Sequence, residues 1–196
     1  MRLLRRHARR RLLGSAAAML LIGAGFCASA RAAGVIQMEN NLLLHADRGK
    51  QMLTFERWEE AAAEFRLALQ LNPYSPMAPA LYHNLSVAYR RMRSFSLAIA
   101  SAQRAILLTP MFEQYYRGLI DAYQAAGFLT LAQEKLRRIV AVNDRDAEAW
   151  YLLGLACQRN GRPDQAKEAF SRFVALAPHS RLAEALRAGA ITPPGR

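Results

Sequence analysis

From residue 42 onward, apolar residues return at helical spacing and are interrupted by short polar turns. In the stretch 147–180, Trp150, Leu153, Gly154 and Cys157 stand at i, i+3, i+4 and i+7, one face of a helix. Asn160-Gly161 breaks it, and Pro163 suits the first turn of a following helix, where a missing N–H costs nothing. Ala166, Phe170 and Phe173 then make a second apolar face, which Ala177-Pro178 ends. The pattern predicts two helices joined by a tight turn, with small residues at their crossing and large ones filling the gap to the next pair.

The same pattern recurs along the chain. Ala61, Ala98, Ala132 and Ala166 are separated by 37, 34 and 34 residues. So are His45, Tyr82, Tyr116 and Trp150, and so are Met52, Tyr89, Tyr123 and Cys157. Pro73, Pro110 and Pro178 end helical stretches in the same rhythm, with Asp144 of an Asn-Asp turn in the third place. The three extra residues fall in the proline-rich stretch 74–79, where an insertion only lengthens a surface turn. A fixed period in this range marks a repeat array. Four units are placed at 42–75, 79–112, 113–146 and 147–180. Residues 31–41 are a lead-in, and 181–190 form a short capping helix with Leu182, Ala185 and Leu186 sealing the last unit. Residues 191–196 are a loose tail. The fold class is all-α.

These residues resemble the tetratricopeptide repeat signature W-x2-L-G-x2-Y, A-x3-F, P. The fourth unit has Trp150, Leu153, Gly154 and Cys157, then Ala166, Phe170 and Pro178. The second has Tyr82, Leu85, Ser86 and Tyr89, then Ala98, Ala102 and Pro110; the third has Tyr116, Leu119, Ile120 and Tyr123, then Ala132, Leu136 and Asp144. The first unit has Ala61, Phe65, Ala68 and Pro73 but a degenerate first helix, His45, Arg48, Gly49 and Met52. Arg48 replaces the family's Leu at the outer edge, where no earlier unit would cover it. The resemblance implies a right-handed superhelix whose first helices line a concave groove for a peptide or a helix of a partner protein. Carried over by position, the groove set is Lys50; His83, Arg90 and Arg91; Gln114, Arg117, Asp121 and Gln124; Tyr151, Gln158 and Arg159. Such a set suits an acidic segment or a terminal carboxylate, since guanidinium pairs with carboxylate in a bidentate way. It also reads as ordinary solvated helix faces. The family's clamp for chaperone tails is broken here: Asn84 matches one place, but Ala46 and Lys50, then Gln114 and Gly118, occupy four others.

The formal charge of +12 first suggests nucleic acid. Six arginines lie in residues 2–11, however, and removing residues 1–30 leaves 21 basic against 15 acidic residues. The arginines form no stripe with interleaved aromatics on which bases could stack, so nucleic acid is not an expected partner. Residues 12–30 carry no charge, and Ala28-Ser29-Ala30 places small residues for a cut after Ala30. A basic segment, an apolar block and A-x-A make the pattern of a secretory signal peptide. A second cut after Ala32, an uncleaved anchor, a lipid anchor on Cys27, a twin-arginine signal and an organellar transit peptide are its alternatives, and the single contiguous apolar block argues against the last. Phe26 argues against lipidation. The expected address is the periplasm, with membrane attachment only through a retained leader. Cys157 is then the one thiol left, and its place on an apolar face reads as a buried small hydrophobe.

The sequence has no H-E-x-x-H, C-x-x-C, G-x-S-x-G or phosphate-loop pattern. Glu59, Glu60 and Glu64 read as a solvated face rather than a metal site. The expectation is a non-enzymatic scaffold of the cell envelope, without cofactor or metal, that binds another protein during assembly of pilus, secretion, outer-membrane or cell-wall machinery. A subunit that positions an envelope enzyme is the alternative.

Overall fold

The computed structural model describes residues 33–189. The leader, Cys27 and the tail at 191–196 lie outside them. Among the described residues there are nine helices and no strand. They are α1 (33–54), α2 (Trp58–Leu71), α3 (Ala78–Arg91), α4 (Phe95–Leu108), α5 (Glu113–Ala125), α6 (Leu129–Val142), α7 (Ala147–Arg159), α8 (Pro163–Leu176) and α9 (Arg181–Arg187). The lead-in at 31–41 is therefore helical from residue 33 and continuous with the first helix of the array. None of the described helices is long and apolar enough to cross a membrane.

Local chemistry explains where the helices stop. Glu56, Arg93, Gly127 and Gly161 all have positive φ, between 58° and 75°. They repeat the 37, 34 and 34 steps of the sequence. The residue after each donates its N–H to a carbonyl five positions back: Arg57 to Met52 at 2.9 Å, Ser94 to Tyr89 at 2.9 Å, Phe128 to Tyr123 at 2.9 Å and Arg162 to Cys157 at 2.9 Å. This is the Schellman closure, in which one left-handed residue ends a helix and satisfies an orphan carbonyl. Glycine takes that conformation freely; Glu56 and Arg93 take it at some cost. Entries to the helices use the expected devices. Asp146 Oδ1 accepts from the Ala149 N–H at 2.9 Å, Ser180 Oγ accepts from the Ala183 N–H at 3.2 Å, and Pro79 and Pro163 sit in first turns.

Packing follows the same period. Each unit pairs an inner helix (α1, α3, α5, α7) with an outer one (α2, α4, α6, α8), and each outer helix also packs on the next inner one. Small residues set the crossing distance. A Cβ on Gly49 would lie 2.5 Å from the Phe65 ring, and one on Gly154 would lie 2.5 Å from the Phe170 ring. Ser86 holds the equivalent place in the second unit, its hydroxyl donating to the Ala98 carbonyl at 2.7 Å. The third unit has Ile120 there, and α5 and α6 approach each other over a much shorter stretch than α3 and α4 or α7 and α8. In the third and fourth units the residue that opens the inner helix ties back to the turn before it: Tyr116 accepts from the Met111 N–H at 3.2 Å, and Trp150 donates to the Asp144 carbonyl at 2.8 Å. At the end of the array α9 buries Leu182 and Ala183, with Ala185 and Leu186 partly packed beside them. The result is a helical repeat solenoid.

Candidate functional site: the inner face

The inner helices α3, α5 and α7 pack side by side, and no consecutive pair of outer helices does so to a comparable extent. Neighbours that are closer on one side than on the other bend a stack toward that side. The inner helices therefore line the hollow of the curve, and their unpacked faces form the candidate site.

Most of the expected groove residues are on those faces. Gln114, Gln124 and Arg159 are exposed, and Arg90, Arg117, Asp121 and Gln158 are half-buried. Arg159 of α7 donates to Asp121 of α5, tying two adjacent inner helices together. Arg117 donates from Nε to Glu113 one turn earlier at 2.6 Å. Lys50 is exposed on α1 and pairs with Asp47 at 3.2 Å. Pairs this open to solvent contribute little to folding, so these guanidinium and ammonium groups remain available to a partner's carboxylates.

His83 is recessed between α3 and α5. Its ring lies 5.4 Å from that of Tyr115, and a Cβ on Gly118 would come within 3.0 Å of it. Burial, and then the charge of Arg90, hold its pKa below the usual imidazole range, against an opposing pull from Asp121. The ring is thus neutral at neutral pH, and its buried Nδ1 has no hydrogen-bond partner.

Two expected residues are elsewhere. Tyr151 is 0% exposed, packed edge-on against Tyr116 at 5.4 Å and tilted against Phe173 at 5.0 Å. It belongs to the core, because Tyr116 of the preceding inner helix and Phe170 and Phe173 of α8 close around it. Arg91 lies with its guanidinium 5.3 Å from the centre of the Trp58 ring. It points toward α2 on the outer side, held by a cation–π contact. Conversely, Glu113 and Tyr115 contribute to the face without having been expected there. The i, i+4 spacing of Glu113 and Arg117 was the readable signal for the first.

The Tyr151 hydroxyl is buried without a partner, and burial pushes its pKa upward. Replacing it by phenylalanine removes a desolvated polar group and leaves the ring contacts. Tyr151→Phe is therefore expected to raise stability by about 1 kcal/mol in chemical denaturation. A loss of that size would mean that the hydroxyl is hydrogen-bonded in solution.

A second polar cluster sits between α6, α7 and α8. Gln133, buried, donates to Cys157 Sγ at 3.1 Å and accepts from Asn160 Nδ2 at 2.9 Å. Burial pushes the Cys157 thiol up, the opposite of what a reactive thiolate needs. Glu64, expected on a solvated face, instead bonds His45 across α1 and α2 at 2.6 Å. Among the described residues no three His, Cys, Asp or Glu side chains are grouped so as to hold a metal ion.

Comparison with known proteins agrees with this architecture. Two tetratricopeptide repeat models match, over residues 79–110 and 117–181. The chain is 32% identical over 112 residues to the anaphase-promoting complex subunit 3 of Schizosaccharomyces pombe, covering 57% of this chain and 16% of that protein. It is 26% identical over 133 residues to the general transcriptional corepressor ssn6 of the same yeast, covering 67% of this chain and 12% of that one. It thus spans less than a fifth of the length of these curated relatives. Among solved structures, a tetratricopeptide repeat protein from Parabacteroides merdae superposes with a TM-score of 0.49 at 18% identity, covering 76% of this chain and 58% of that one. With its period, its Schellman turns and its small-residue crossings, the chain belongs to the tetratricopeptide repeat family.

Proposed function

We propose that this chain is a non-enzymatic scaffold that holds a segment of a partner protein along the inner face of α3, α5 and α7. The observation that carries the reading is the alignment of Arg90, Arg117, Gln124, Gln158 and Arg159 on adjacent helices, exposed or half-buried along the hollow of the curve. Each has at least one hydrogen-bonding group within reach of a guest, and the cations outnumber Asp121 and Glu113. An extended or helical segment with acidic side chains fits such a face by charge complementarity. The basic segment, apolar block and A-x-A sequence of the first thirty residues support a further reading, in which the scaffold acts after export, in assembly of an envelope complex.

The test is charge reversal on the inner face. Arg117→Glu and Arg159→Glu should each weaken recovery of the partner from the native host by about tenfold or more, as for a well-placed interface arginine. Their helical circular dichroism should be unchanged, since the ion pairs they break are solvent-exposed. Equal recovery of the same partner by both variants would refute the inner-face reading. The address is tested by fractionation with intact mass: a soluble periplasmic product starting near Arg31 supports export, and a full-length cytoplasmic product contradicts it.

A further inference from the structure

The two ends of the array are mismatched in a complementary way. The inner helices α3, α5 and α7 have 14, 13 and 13 residues, whereas α9, which follows α8 in the same role, has 7. Among the described residues, about half of the α8 surface that a full inner helix would cover is therefore left uncovered. A groove of about 520 Å³ lies there, lined by the apolar Phe170, Val174 and Leu186 and by the charged Lys167, Arg187 and Asp164, two cations and one acid. At the other end α1 is too long. It covers residues 33–54, while its partner α2 has 14 residues, Trp58–Leu71. Its projecting turns, 33–41, leave Val35 and Ile36 50% and 58% exposed. Glu39 is the one charged residue among them.

We propose that the groove beside α9 receives the projecting turns of α1 from a second copy of this chain. The lengths agree: the seven or so residues that α9 lacks correspond to about 10 Å of helix, and residues 33–41 supply about 13 Å. The chemistry agrees as well. Ile36 and Val35 offer the apolar side that Phe170 and Val174 need, and Glu39 meets a lining in which cations outnumber the single acid. The surface used is a continuation of one the fold already uses, since every outer helix before α8 packs against a following inner helix. Because the two patches differ, the contact is head-to-tail, and it builds rings or open rows of copies rather than a symmetric dimer.

Sedimentation velocity of the purified protein over a concentration series tests this. Association should rise with concentration and weaken by about tenfold or more in Ile36→Glu, an exposed position where folding is unaffected. Glu39→Lys and Lys167→Glu should each weaken it, and the two together in one chain should restore it. Chains carrying Ile36→Cys and chains carrying Val174→Cys should form a disulfide when mixed, and neither should do so alone beyond the level of the unsubstituted protein. A monomer at every concentration would overturn the proposal. So would association that ignores these substitutions, or association that appears only after residues 190–196 are removed, which would assign the groove to the chain's own tail.

Discussion

Gly154→Val is expected to destabilise the protein by about 3 kcal/mol or more, the upper end of overpacking effects. Even the first carbon of a side chain at residue 154 would stand 2.5 Å from Cδ1 and Cε1 of Phe170 and 2.9 Å from Cζ. Tyr151 lies 5.7 Å from the ring and Ala166 and Ala169 are buried at the same crossing, so the ring can yield only toward the groove beside α9. A valine must therefore turn the ring out of its packed place or push the two helices apart, and either loosens the cluster that buries Leu153 and Cys157. Urea denaturation should show a lower midpoint with an unchanged slope. Adding Phe170→Leu to Gly154→Ala should recover part of the loss of the single Ala variant, by returning space at the crossing. A midpoint unchanged by Gly154→Val would mean that the helices of the fourth unit do not close on residue 154. The third unit shows the alternative solution within the same chain, since Ile120 occupies that place and α5 and α6 pack less closely.

Phe173→Ala should cost about 3–5 kcal/mol, the range for emptying a buried aromatic site. Phe173 is fully buried and joins α8 to Tyr151, Tyr116, Leu155 and Leu182, so its loss opens the seam between the last unit and the capping helix. Arrays of this kind are held together by neighbouring units rather than by one central core. The expected result is not a uniform loss. Amide exchange should accelerate across α7, α8 and α9 and change far less in α2 and α3, whose buried residues form a separate cluster around Phe65, Leu81 and Leu85. Equal acceleration along the whole chain would show that the array unfolds as one unit, which the nearest-neighbour picture does not allow.

Much of this architecture is written in the residues. The period is visible because the packing rules repeat it: alanine at the crossing, a bulky ring opening the inner helix, proline after the outer one. Gly127 and Gly161 announce their left-handed turns, and Asn160-Gly161 is readable as a break. Glu56 and Arg93 adopt the same conformation, yet nothing in their residue type signals it. There the helix pair on either side imposes the turn. The helical state of residues 33–41 is likewise hidden, because these turns have no second helix to impose an apolar rhythm on them.

The inner face was legible by position and less so by neighbourhood. Arg117, Asp121 and Arg159 lie on the expected face because repeat position fixes helical angle. Tyr151 and Arg91 depart from it because burial depends on what the adjacent helix brings, which repeat position does not encode. Tyr151 meets Phe170 and Phe173, and Arg91 meets Trp58. Gln133 is the converse case. A glutamine on an outer helix reads as solvated, but here it is buried because Cys157 and Asn160 supply partners for its amide.

The central claim is that a partner lies along the inner face. The most direct test places a photo-reactive residue singly at Gln114, Gln124 or Gln158, and as controls at Lys135, Arg138 or Arg172 on outer helices, and irradiates cells of the native host. The account predicts one shared crosslinked partner from the inner positions and none of it from the outer ones. Crosslinking of that partner from the outer positions alone would contradict it.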